Sequence, residues 1–157
     1  MRTPRFLAAA AVAALLGWFT VPAADGDARL PTPARWPLAG SVRVLAGFDP
    51  PATAWGAGHR GLDLAVHRGE PVLAAAAGRV SFAGQLAGRG VVVVDHGSVR
   101  TTYEPVDALA AVGDPVEDGA VLGRVGRGGH CSERCLHWGL KQGDRYLDPA
   151  LLIGAAD

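Results

Sequence analysis

GRVSFAGQLAGRGVVVVDHGSVRTTYE, residues 78–104, contains three β-type runs, at 78–84, 90–95 and 98–104, divided by a glycine-rich break and by His96-Gly97. Valine, threonine and aromatic side chains dominate them, and such residues fit a pleated, half-buried surface. Asp95 suits the cap of a Gly97 turn, with His96 a satisfied turn histidine rather than a ligand. The same grammar continues outward. VRVLAGF, GLDLAV, PVLAAA, AVLGRV and CLHWGL lie between Gly, Pro and Asp punctuation from 42 to 140, and no stretch there sustains a 3.6-residue period. Many short strands at this spacing predict an all-β domain, a sandwich or closed sheet.

An internal echo points to duplication. Gly69-Glu70-Pro71-Val72 is followed by Gly78-Arg79-Val80, and Gly113-Asp114-Pro115-Val116 by Gly123-Arg124-Val125. The end, RYLDPALLIG, predicts a short closing turn or helix begun by Asp148 and Pro149.

At the other end, Arg2 and Arg5 precede an uncharged apolar run at 6–21 and then small residues, the layout of a secretory signal peptide at 1–23. The run is shorter than the roughly 20 residues a membrane-crossing helix needs, so the mature chain is expected to lack a span and to be secreted or held in the cell envelope. An uncleaved amino-terminal anchor is the alternative, and either form leaves the cytoplasm. Residues 24–40 are rich in Pro and small side chains and read as a linker; 41–153 read as one domain. Of 15 basic side chains two lie in the leader, leaving 13 against 15 acidic ones, a balance that offers nothing to a nucleic-acid partner.

The chemistry concentrates in two places. His59 and Asp63 lie four apart in GHRGLDLAV, and His137 lies in CLHWGL. On a flat strand the Cα atoms of residues 59 and 63 would stand about 13 Å apart, so a bend at Gly61 is expected if both face one ion. Two histidines and a carboxylate with one position open is the arrangement by which zinc activates water and polarises a carbonyl, and peptide hydrolysis is its natural use. The spacing by itself is equally compatible with an exposed His59 and a capping Asp63.

HxGxD, a G-x-P-V turn, the VVVDHG strand, a tyrosine strand and a late strand carrying LH together resemble the lysostaphin-type zinc metallopeptidases of bacterial cell walls. The resemblance runs from about Trp36 to Leu152. It implies a duplicated β hybrid forming a compact antiparallel β sandwich, a Zn2+ cofactor held by His59, Asp63 and His137, and peptides of peptidoglycan as substrate. Two positions depart from the family pattern. The first histidine of the family's HxH is Cys135 here, and the histidine of its YxHL is Pro105, so both groups that assist the attacking water are replaced. Positioned acid and base groups typically contribute about 100-fold to 10,000-fold. His130 could reach the metal from its loop, Tyr103 could donate to an oxyanion, and Glu104 could act as a base. His67 reads as turn surface.

Cys135 admits two accounts. As a thiolate beside His137 it would close the metal site; paired with Cys131 in a disulfide it would leave the site open, and an oxidising compartment favours the pair. The functional expectation is an exported zinc metalloendopeptidase that remodels the cell wall. The alternative is a degenerate relative that binds wall peptides or activates a partner wall hydrolase. A lipoyl-type carrier is excluded because the single lysine, Lys141, lies beyond the repeated turns.

Overall fold

The computed structural model describes residues 29–53, 55–130 and 134–154. The leader read at 1–23, the first residues of the linker and Cys131 lie outside the described residues. Eleven strands and one 3-10 turn follow one another: β1 (Val44–Ala46), β2 (Leu62–Ala65), β3 (Pro71–Leu73), β4 (Gly78–Leu86), β5 (Arg89–Asp95), β6 (Arg100–Glu104), β7 (Val106–Ala108), β8 (Pro115–Val116), β9 (Val121–Val125), β10 (Cys135–Gln142), β11 (Arg145–Leu147) and the turn Pro149–Ile153. All pairings are antiparallel. A large sheet runs β1-β2-β10-β6-β5-β4-β8, with β11 also on β10, and a small sheet runs β3-β9-β7.

The sequence echo is a structural duplication. Each repeat gives one strand to each sheet, and the two repeats exchange partners: β3 pairs β9 with Val72 opposite Gly123, and β4 pairs β8 with Gly78 opposite Val116. Gly69 and Gly113 open the two turns at φ 86° and 96°, a region closed to most side chains. Arg124 donates to the Gly69 carbonyl at 3.0 Å and Arg79 to the Gly113 carbonyl, so each repeat's arginine fastens the other repeat's turn.

Between the sheets lies an apolar core in which Trp138, Tyr103, Leu64, Leu122, Leu136 and Leu140 are the largest fully buried side chains. Alternation along β6 sends Thr101 and Tyr103 inward and Arg100, Thr102 and Glu104 to the outer face of the large sheet. The segment read as a linker joins the fold by Ala34. Ala34 bridges Ala76, Arg35 N–H donates to Ala75 O at 2.8 Å, Leu38 is buried, and the Trp36 ring stands 5.7 Å from that of Trp138. Within the segment read as a linker, the apolar Trp36 and Leu38 on either side of Pro37 pack on the domain. At the other end Asp148 caps the 3-10 turn by accepting from Ala150 N–H at 2.9 Å, as the Asp-Pro signal predicts. No helix among the described residues is long and apolar enough to cross a membrane.

Candidate metal centre

Asp63 on β2 and His137 on β10 are directly opposed across the β2–β10 pair, which fixes both on one face of the sheet. His59 enters from the preceding segment, where residue 59 bridges Asp49 by two short backbone hydrogen bonds, 2.6 and 2.9 Å. Residues 59 and 63 therefore do not share a strand. Gly61 serves close approach rather than a left-handed bend: a Cβ there would stand 2.4 Å from the Trp138 carbonyl oxygen and 2.8 Å from Nε2 of His137. Only glycine lets the His137 ring lie against this backbone.

The donor atoms converge. His59 Nε2 is 3.1 Å from Asp63 Oδ1 and 3.1 Å from His137 Nδ1, which is 2.8 Å from the same Oδ1. His130 joins from the loop between β9 and β10, its Nε2 donating to Asp63 Oδ2 at 2.7 Å. These four residues form the one group of three or more His, Cys, Asp or Glu side chains, among the described residues, whose ligand atoms lie within 4.8 Å of one another. His59 Nδ1–H is committed to the Gly47 carbonyl at 2.6 Å, which turns a bare Nε2 lone pair toward a carboxylate oxygen and a second imidazole nitrogen. Lone pairs so placed repel unless a proton or a cation lies among them. Donors at about 2.0–2.2 Å around a tetrahedral ion stand about 3.3–3.6 Å apart, a few tenths of an ångström wider than the 2.8–3.1 Å found, so a small outward shift of these side chains fits the set to a zinc-sized cation.

Burial pushes the Asp63 carboxyl up, but hydrogen bonds from His137 and His130, together with the positive charge that His59 and His130 bring when protonated, outweigh it and hold the group down at about 2. The carboxyl is thus ionised and ready to serve as a ligand throughout the neutral range. A cavity of about 440 Å³ opens on the cluster; its floor is the outer face of β10, β6, β5 and β4, with Glu104, Thr102, Val93, Val91 and Leu86. His130 is half exposed at its mouth, on a loop whose Gly128 and Gly129 hold φ 92° and 84°.

Of the residues singled out from sequence, His59, Asp63, His137 and His130 come together. Tyr103 does not join them. It is fully buried on the opposite face of β6, and its hydroxyl accepts from Ala75 N–H at 3.0 Å and lies 2.8 Å from Thr101 Oγ1, so the oxyanion role assigned to it fails on strand alternation. Glu104 is the β6 residue opposite His137, but Arg89 pairs with it, donating to Oε1 at 3.0 Å with Nε 2.9 Å from Oε2. Cys135 is buried opposite Ala65 and is not a member of the cluster. His96 is satisfied, by the Ala77 carbonyl at 2.7 Å and Thr101 at 2.8 Å, as its turn position suggested. Sequence reading missed the Gly47 carbonyl and the Arg89–Glu104 pair; a backbone acceptor leaves no residue signal, and Arg89 follows a turn glycine where an arginine is unremarkable.

The family model for peptidase family M23 matches residues 57–149, which contain all four cluster residues. An uncharacterised protein of Mycobacterium tuberculosis is 44% identical over 146 residues, covering 88% of this chain and 56% of the relative. A DD-carboxypeptidase/endopeptidase of Neisseria meningitidis is 32% identical over 93 residues, covering 58% of this chain and 22% of that protein. Among solved structures, a zinc-containing peptidase from Vibrio cholerae is 25% identical with a TM-score of 0.62, covering 73% of this chain and 38% of that one. The chain spans little more than half the length of its mycobacterial relative. A match over most of the folded part, on a duplicated antiparallel scaffold with the histidine and aspartate donors gathered on one sheet face, places this chain in peptidase family M23.

Proposed function

We propose that the protein is an exported zinc-dependent peptidase that hydrolyses peptide bonds of peptidoglycan, with His59, Asp63 and His137 as zinc ligands and His130 as its acid–base group. The observation that carries this reading is the convergence of three donor atoms, 2.8–3.1 Å apart, on the wall of an open cleft. Zinc bound there would supply an activated water and a Lewis acid for the scissile carbonyl. The residues do the rest. Gly47 O orients His59, Gly61 admits His137, and the Asp63 carboxylate turns Oδ1, the oxygen that would hold the ion, toward His59 and His137 while Oδ2 accepts from His130. That contact fixes the His130 ring edge-on to His59 and His137, with centroids 5.7 and 5.2 Å away, and with Nε2–H committed to Asp63 it leaves Nδ1 as the ring nitrogen that can take and return a proton at the cleft. Neither Pro105 nor Cys135 brings an ionisable group into the cluster, so His130 is the side chain available for that role.

The wall substrate and the export belong to the same proposal, supported by the signal-type leader and by the DD-carboxypeptidase/endopeptidase relative. A Cys131–Cys135 disulfide belongs to it as well, supported by the four-residue spacing and an oxidising compartment. The deciding experiment measures zinc content and muropeptide release for wild type and His137→Ala. One zinc per chain and fragment release, both lost in the variant, are expected. Equal zinc in the two proteins removes the site. Zinc without fragments from any wall preparation, together with activation of an added wall hydrolase, gives the binding or activator reading instead.

A further inference from the structure

The cleft continues past the histidines. Arg60 and Tyr146, which line it, also line a second cavity of about 390 Å³, walled by residues 50–53 on one side and on the other by Asp144 of the β10–β11 turn and by Arg145, the first residue of β11, which donates to Gln142 Oε1 at 3.2 Å. A peptide lying across the metal cluster would run into this second space. Arg60 follows the ligand His59 directly. Its guanidinium donates to the Gly56 carbonyl at 3.1 Å and lies 5.9 Å over the Tyr146 ring, while Lys141 Nζ lies 4.9 Å from the same ring. Two guanidinium groups therefore face this cavity, with Lys141 close behind. The one carboxylate among the described residues that line it, Asp144, extends into solvent with Lys141 4.0 Å away.

The other end of the cleft is electrically quiet. Arg89 on β5, across β6 and β10 from Arg60, is neutralised by Glu104. Among the described residues the second cavity thus has Arg60, Arg145 and the nearby Lys141 set against Asp144, whereas the Glu104 end of the cleft holds one arginine and one carboxylate.

We infer that the second cavity is a subsite for a carboxylate-bearing residue of the peptide substrate, with Arg60 and Arg145 as the specificity-determining side chains. The inference rests on the peptidase reading for the class of ligand, an acidic peptide; the charge arrangement itself does not depend on turnover. Planar guanidinium groups are suited to carboxylates, and charge-assisted hydrogen bonds of this kind are worth about ten-fold or more in affinity.

The test is calorimetric binding to the zinc-loaded protein of the synthetic peptide L-Ala-γ-D-Glu-L-Lys-D-Ala-D-Ala and of two analogues, one amidated at the D-Glu α-carboxylate and one at the carboxyl terminus. For wild type at least one amidation should weaken binding about ten-fold, less so at high salt. Arg60→Gln and Arg145→Gln should each abolish most of that difference. Arg145 lies away from the ligands, so its variant decides the matter should Arg60→Gln disturb zinc binding. Equal affinity for all three peptides, or an undiminished preference in Arg145→Gln, overturns the subsite. Failure of the peptidase reading registers separately, as a carboxylate preference without cleavage; cleavage without the preference sinks the subsite alone.

Discussion

Gly61→Ala probes the metal centre with a single added carbon. The new Cβ would stand 2.4 Å from the Trp138 carbonyl oxygen and 2.8 and 2.9 Å from Nε2 and Cε1 of His137. Relief to ordinary contact needs a displacement of about 1 Å. The carbonyl cannot supply it cheaply, because β10 is hydrogen-bonded to β2, β6 and β11. The His137 ring must therefore turn away or β2 must shift, and either moves a ligand by several times the roughly 0.2 Å that a zinc site tolerates. Overpacking of this kind costs about 1–3 kcal/mol, which falls on zinc affinity as a loss of roughly 10- to 100-fold. Gly84→Ala is the control, since its Cβ would meet the nearest atom, of Phe82, at 3.5 Å on the same sheet. Competition against a chromogenic chelator measures both, with circular dichroism to establish folding. A folded Gly61→Ala protein that binds zinc within two-fold of wild type would refute the reasoning.

His130→Ala should keep its zinc while muropeptide turnover falls about 100-fold or more, and His130→Gln should not restore it, because the amide replaces the hydrogen bond and not the proton; loss of zinc in step with activity would instead make His130 a fourth ligand. Burial pushes the Tyr103 hydroxyl up to about 12, against the hydrogen bonds from Thr101 and Ala75. The folded chain therefore favours the neutral phenol, and the associated stability is complete below pH 10 and lost as pH rises through about 12, by about 2–3 kcal/mol. Urea midpoints against pH should show that decline for wild type and not for Tyr103→Phe, which at neutral pH costs about 1–2 kcal/mol by stranding the Ala75 N–H. Alkylation of protein recovered from its native compartment should modify neither Cys131 nor Cys135 before reduction; two modified thiols would end the disulfide proposal.

Local chemistry that repeats at a fixed period was legible in the sequence. The two G-x-P-V units declared the duplication because each glycine must reach a positive φ and each arginine must find the other unit's turn, requirements met by residue type alone. His59, Asp63 and His137 were legible through the family pattern. What stayed hidden depended on which face a residue takes. Tyr103 and Glu104 are adjacent, and only the register of β6 on β10 decides that position 104 sits opposite His137 while position 103 enters the core. His130 was ambiguous for a related reason: a histidine after two glycines reads as surface until the loop's path is known, and the contact that fixes it, with Asp63, spans 67 residues. Where the linker gives way to the packed chain was not legible from proline spacing, which describes the backbone, whereas the position of Trp36 and Leu38 is set by the core they cover.

The duplication and the chemistry occupy different parts of the fold. The repeats supply β3 and β4 and β8 and β9, which close the small sheet and one flank of the large one. Asp63 and His137 come from β2 and β10, outside both repeats, His59 from the segment before β2, and His130 from the loop that leaves the second repeat. The repeated turns are held by their own symmetric hydrogen bonds, so they can form a rigid frame without reference to a metal. The ligand strands depend on each other: Asp63 faces His137 only in the present β2–β10 register, and Gly61 is the position at which that register brings backbone against imidazole. A substitution in the frame, such as Gly113→Ala with its positive φ, therefore acts on the stability of the whole domain, whereas Gly61→Ala acts first on the ion. Arg60 lies between the two ligands of the HxGxD segment, so the same backbone that positions the metal donors also positions the cation at the entrance to the second cavity. In the proposed peptidase two of the donor residues and one of the two arginines offered for charge selection thus fall in one short stretch, residues 59–63, rather than in the duplicated scaffold that carries it.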